Sequence, residues 1–215
     1  MSRASEINYE LMVKALVKPG ADILASLTPE KADAWHMATG IAGEAGELLA
    51  AFVESALKYQ DIDLVNVIEE LGDLEFYLEG LRQRVGIDRG ETTGVILVGS
   101  VPHFDYAGEE ASVAQIAACD VLDTVKKFVV YNKALDREAL VGQLTKLELH
   151  LEGVRRLLDI ERQTTLEANI EKLYLGNAKN KARYAEGSFS DAQAQARADK
   201  QEALVTPRGS LGECK

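Results

Sequence analysis

The chain has 215 residues, 47% of them apolar, enough to fill a packed core and to exclude disorder along its whole length. Its 24 basic residues face 35 acidic ones, a net charge of −11 that makes nucleic acid and anionic membrane poor partners. Two cysteines, Cys119 and Cys214, build neither a disulfide framework nor a zinc site, the opening residues lack a signal-peptide pattern, and no apolar run nears the ~18 residues of a membrane span; these features predict a soluble, cytoplasmic protein.

With four prolines and apolar residues recurring three and four apart, the chain reads as all-α. Helices are expected at 5–17, 29–57, 63–86, 109–132, 136–161 and 163–184. Thr28-Pro29-Glu30-Lys31 is a start signal, a capping hydroxyl followed by proline at the first helical position. Between Thr92 and Tyr106 the periodicity breaks, with a short extended run at 94–99 closed by Pro102, which reads as a connecting loop. After Ala185 the residues turn small and polar, as in a loose tail.

The second half repeats the first. Residues 63–89 aligned on 136–162 match at ten of twenty-seven positions, including Leu78-Glu79-Gly80 on Leu151-Glu152-Gly153 and Ile87 on Ile160. The helices before them align as well, with Glu44, Glu47 and Phe52 falling on Asp120, Asp123 and Phe128. The expected organisation is a helical hairpin written twice: a first repeat at 1–90, a connection at 91–108, a second repeat with a C-terminal helix at 109–185, and a tail at 186–215. One hairpin cannot bury its own apolar face. The two are therefore expected to pack about a pseudo-twofold axis into one bundle, an intramolecular pseudo-dimer that leaves a homodimer of whole chains open.

Two acidic pairs, Glu44/Glu47 and Glu70/Asp73, stand out, each at a spacing of three that puts both carboxylates on one helix face. The apolar stripe of the second helix is Val67, Leu71, Leu74, Leu78, Leu81 and Val85, and that of the first is Met37, Ile41, Leu48 and Phe52. The acids flank these stripes beside the small residues Gly40 and Ala51, which leave room for a ligand. A turn near Tyr59-Gln60-Asp61 brings the two pairs to similar heights, with an offset of about one turn, ~5 Å, left open. Four like charges at a partly buried interface disfavour folding unless a cation is bound or some acids stay protonated. Oxygen ligands without histidine or cysteine suit Mg²⁺ or Mn²⁺, and Mg²⁺ typically bridges to phosphates, so a di- or triphosphate substrate is implied.

The run His36 to Glu47, followed by Glu70-Leu71-Gly72-Asp73-Leu74-Glu75-Phe76-Tyr77-Leu78, resembles the MazG-like branch of the all-α nucleoside triphosphate pyrophosphohydrolases, a superfamily that includes the dimeric dUTPases. The resemblance implies that Glu44, Glu47, Glu70 and Asp73 hold Mg²⁺ for cleavage of an NTP or dNTP to the monophosphate and pyrophosphate, in nucleotide-pool control. The stretches Glu167 to Leu173 and Arg183-Tyr184 also resemble the family, which implies phosphate or base contacts from Asn169, Lys172 and Arg183. A narrower dUTPase-like or phosphoribosyl-ATP hydrolase, or a non-catalytic nucleotide-binding helical protein, are the alternatives.

The repeat departs from that pattern. Its second copy puts Gln143 and Lys146 where the first has Glu70 and Asp73, and Lys126 and Lys127 where the first has Ala50 and Ala51. The second half is thus expected to be catalytically dead, with its lysines available to bind phosphate. Gly40, Gly43 and Gly46 lack the Lys-Ser/Thr of a phosphate loop, and the histidines lack metal spacing. His36 stands at the acid edge where it can orient a ligand, Tyr77 is a candidate for stacking on a base, Trp35 reads as packing, and Cys119 as a buried small residue.

Overall fold

The computed structural model describes residues 7–93, 104–176, 184 and 189, and among them every regular element is helical. The chain divides into two compact units, Met1–Leu166 and Glu167–Lys215, each treated by itself.

In the first unit, α1 (Tyr9–Leu16) starts at Asn8, whose side chain accepts the Leu11 N–H at 3.0 Å, and α2 (Gly20–Leu24) follows Pro19. The expected first helix is thus followed by a second, short one that the pattern did not announce. Proline fixes φ and supplies no N–H, so α2 begins on it as a new element. Helix α3 (Pro29–Lys58) is capped by the Thr28 side chain and ends where Tyr59 turns left-handed at φ 50°. Helix α4 (Leu64–Val85) is capped by Asp63 and ends at Gly86, φ 66°, a conformation glycine adopts without steric cost. A short α5 (Arg89–Thr93) precedes α6 (Ala107–Val130), and α7 (Arg137–Leu158), capped by Asp136, ends at Asp159, φ 55°. The ends of α3, α4 and α6 fall within two residues of those expected from the sequence, α7 stops three residues early at the left-handed Asp159, and α5 is an addition. The extended run at 94–99 and the tail beyond 190 lie outside the described residues.

Helix α3 packs against α4 and against α6, and α6 packs against α7, with α5 laid on α7. All four long helices feed one continuous core. From α4 come Val67, Leu71, Leu74, Leu78 and Leu81, and from α7 Leu140, Leu144, Leu147 and Leu151, all fully buried. Val85 is only partly buried at the edge of that core. Buried Ala38 and Ala45 of α3 and Ala111, Ala114 and Ala118 of α6 keep the middle of the bundle slim, because interaxial distance follows the size of the side chains at the contact. Helices α4 and α7 meet instead through long charged side chains, Arg82 with Glu148 and Glu75 with Arg155. Among the described residues no helix is long and apolar enough to cross a membrane.

Helix α8 (Arg162–Ile170) begins in the first unit and runs into the second, where it passes into a π-helical turn at Glu171–Leu175. The helix expected at 163–184 therefore ends early. Gly176 is at φ 70°, the Tyr184 N–H donates to the Leu173 carbonyl at 2.8 Å, and the Tyr184 and Phe189 rings meet at a tilt of 41° with centroids 5.9 Å apart.

Candidate metal centre

The register of α3 against α4 is set by close approaches at small residues. A Cβ on Gly40 would lie 2.3–2.5 Å from three ring atoms of Tyr77, so the ring rests directly on the α3 backbone. One turn toward the start of α3, a Cβ on Gly80 would lie 2.3 Å from Met37 Sδ, and another turn on, Arg84 Nε is 3.5 Å from Asp33 Oδ2. Each step back along α3 is matched by an equal step forward along α4. Continued the other way, the same register places Glu44 opposite Asp73 and Glu47 opposite Glu70.

The acids meet accordingly. Glu44, Glu47 and Glu70 each offer a carboxylate oxygen within 4.8 Å of the others, so the open offset of one turn is absent. Asp73, the fourth expected ligand, is outside that group but near enough for its charge to act on Glu70. Glu44, Glu47 and Asp73 are half-buried, and Glu70 is 7% exposed. Burial, a hydrogen bond with Glu44, and the charges of Glu44, Glu47 and Asp73 push the Glu70 carboxyl up to about 9. In the metal-free protein Glu70 thus keeps its proton at neutral pH. Ligand oxygens around a bound Mg²⁺, at about 2.0–2.1 Å from the ion, lie about 3–4 Å from one another, so small side-chain rotations bring this trio to coordination distance. Hard oxygen donors and a proton standing in for missing positive charge fit a small divalent cation.

Aromatic rings border the cluster on the Tyr77 side. Tyr77 makes edge contacts with His36 and Phe76, with centroids 6.0 and 5.3 Å apart, and His36 itself is exposed. Trp35 packs against the core, as expected.

The second half holds no such trio among the described residues. Asp123, at the position of Glu47, accepts both lysine ammoniums, Lys126 at 2.8 Å and Lys127 at 2.7 Å. Hydrogen bonds from Lys126 and then Lys127 hold its carboxyl at about 2. The lysines are therefore not waiting unpaired for a phosphate; a phosphate has to displace Asp123. Cys119, expected to be buried, is exposed, because its place on α6 lies off the core face, where Gln115 Nε2 approaches Sγ at 3.3 Å. Asn169 and Lys172 fall in the second unit, half-buried near the end of α8 and in the π-helical turn, and Arg183 lies outside the described residues.

The periodicity did not point to the buried ion pairs of α4. Glu75 is 6% exposed and takes hydrogen bonds from Arg155 Nη2 at 2.6 Å and from Arg162 Nε and Nη2 at 2.7 and 2.6 Å. A signal was present: Glu75, Arg82 and Arg89 are among the residues identical in the two copies, at Glu148, Arg155 and Arg162. Comparison of the chain with family models, with curated proteins and with solved structures finds no match.

Proposed function

We propose that the protein is a Mg²⁺-dependent nucleoside triphosphate pyrophosphohydrolase of the cytoplasm, cleaving an NTP or dNTP to the monophosphate and pyrophosphate. The observation that supports this reading most is the oxygen-only trio Glu44, Glu47 and Glu70, with Asp73 beside it, on two facing helices. Such a site accumulates negative charge at an interface, which is costly unless the site's purpose is to hold cations. Mg²⁺, with Mn²⁺ as a substitute, would be held by these four carboxylates and would supply polarisation of the phosphates and an acidified water. The chain's own residues do the rest. Glu70, protonated beside Glu44 without a cation, would give up that proton when one binds, and a carboxylate of the four left free of the cation would take a proton from a reacting group at their edge. The half-buried Tyr77 ring, fixed over Gly40, offers a flat apolar face for a base, with His36 against it. Lys126 and Lys127 are the first unit's cations proposed for the remaining phosphate oxygens, and Asn169, Lys172 and Arg183 of the second unit are proposed as phosphate or base contacts on the family resemblance alone.

Incubation with a panel of NTPs and dNTPs, with and without Mg²⁺, tests the reading through release of pyrophosphate. The degenerate second copy, with Gln143 and Lys146 in place of Glu70 and Asp73, favours a second reading, a nucleotide-binding protein without turnover. Measurable nucleotide binding with no product from any member of the panel would favour it.

A further inference from the structure

The two charged contacts between α4 and α7 are mirror images in sequence. Arg82 pairs with Glu148, and Arg155 pairs with Glu75. Counting 73 residues onward converts Glu75 into Glu148 and Arg82 into Arg155, so one contact becomes the other with the halves exchanged. The correspondence continues outward. Arg162, on Glu75 with two nitrogens, stands 73 residues after Arg89. Thr92 and Thr165, both fully buried, keep the same spacing, and each donates Oγ1 to the carbonyl three residues before it, Arg89 at 3.0 Å and Arg162 at 2.8 Å. Thr92 Oγ1 is also 3.1 Å from Glu148 Oε2, so the segment after α4 lies on the second hairpin's glutamate as the segment after α7 lies on the first's. An exchange of this kind, in which i meets j and the equivalent of j meets the equivalent of i, is the signature of a twofold interface.

The symmetry stops at the acids. Glu75 lies five residues from Glu70 and two from Asp73, on the helix that presents both to α3. Clamped by three hydrogen bonds from two buried or half-buried arginines, it fixes the rotation of α4 about its own axis. Around Glu148 the corresponding partners are Arg82 and the Thr92 hydroxyl, and they hold α7, whose face carries Gln143 and Lys146 instead of acids.

We propose that the chain is a fused pseudo-homodimer in which the second hairpin is a positioning subunit, its Arg155 and Arg162 holding Glu75 so that Glu70 and Asp73 face Glu44 and Glu47. The proposal rests on reading the acids as a metal centre. Mn²⁺ binding to the full-length chain tests it, measured by calorimetry or by the Mn²⁺ electron-spin signal, beside thermal melts of the same samples. Arg162→Gln and Glu75→Gln are expected to weaken Mn²⁺ binding about tenfold, as loss of an orienting partner of a metal site does, and Arg162→Lys by less. Glu148→Gln, which breaks the mirror contact, is expected to lower the melting temperature about as much as Glu75→Gln while leaving Mn²⁺ affinity within about twofold. Arg162 is the more exposed of the two arginines, so its variant reads positioning even where Glu75→Gln is too unstable to assay. Wild-type binding with unchanged affinity in Arg162→Gln, or equal weakening by Glu148→Gln, overturns the proposal. Absence of Mn²⁺ binding by the wild type overturns the metal reading and the proposal together.

Discussion

Glu70 and Glu75 stand five residues apart on one helix and respond to pH in opposite senses. The Glu70 carboxyl is raised from an ordinary 4.5 to about 9, so the folded chain holds a proton that the unfolded chain releases between those values. Its contribution to stability is complete below about 4.5 and is lost as pH rises toward 9. For Glu75, burial alone would raise the carboxyl, but hydrogen bonds from Arg162 and the charges of Arg155, Arg162 and Arg89 hold it below 4.5. That contribution is present above 4.5 and is lost as pH falls through the lowered value. Glu70→Gln keeps the shape and removes the titration. In EDTA the variant is therefore expected to melt above the wild type at pH 8, by roughly 1–3 kcal/mol, and the gap should close toward pH 5. Melts that run parallel at every pH would show that Glu70 does not carry this proton. The glycines give a second contrast. Gly40→Ala forces a Cβ into the Tyr77 ring and should cost about 1–3 kcal/mol, whereas at Gly43, where nothing lies within 4 Å, alanine should stabilise α3 by up to about 1 kcal/mol. Denaturant unfolding of the two variants reads both signs, and Tyr77→Ala should cancel the first.

At the scale of the helices, the elements were legible because their signals are local. Thr28, Asp63 and Asp136 cap where side-chain oxygens are expected to cap, and the stripe of α4 is buried from Val67 to Leu81 because residues three and four apart share a face. The i, i+3 spacing likewise put each acidic pair on one face. What spacing within a helix cannot give is the register between helices, which is fixed by the Tyr77 ring over Gly40 and by Met37 over Gly80. The same gap explains the lysines: their sequence positions were clear, but the pairing of both with Asp123 depends on where the side chains turn. This pairing alters what the second hairpin should do. If Lys126 and Lys127 bind substrate phosphate, changing both to Ala weakens substrate binding, and Asp123→Asn, which frees them, tightens it by a few-fold. A KM unchanged in Asp123→Asn and in the lysine double variant would remove these residues from the site.

For the whole molecule, the repeat found in the sequence gave the count and order of the long helices, and the shared core shows that both hairpins contribute to one bundle. The buried charge exchange between α4 and α7 was harder to see. Identical Glu and Arg at matched positions look like ordinary helix surface until the partner helix is known, since a charge is buried only where a partner of opposite sign meets it. The division of labour that follows, acids in one hairpin and supporting arginines in the other, depends on the four carboxylates being the working centre. Release of pyrophosphate by the wild type and by Glu70→Gln, on a panel of NTPs and dNTPs with and without Mg²⁺, tests this most directly. The account predicts monophosphate and pyrophosphate from at least one nucleotide, only with Mg²⁺ or Mn²⁺, and a loss of about 100-fold or more in the folded variant. Turnover that survives EDTA, or a Glu70→Gln variant within about twofold of the wild type, would contradict it.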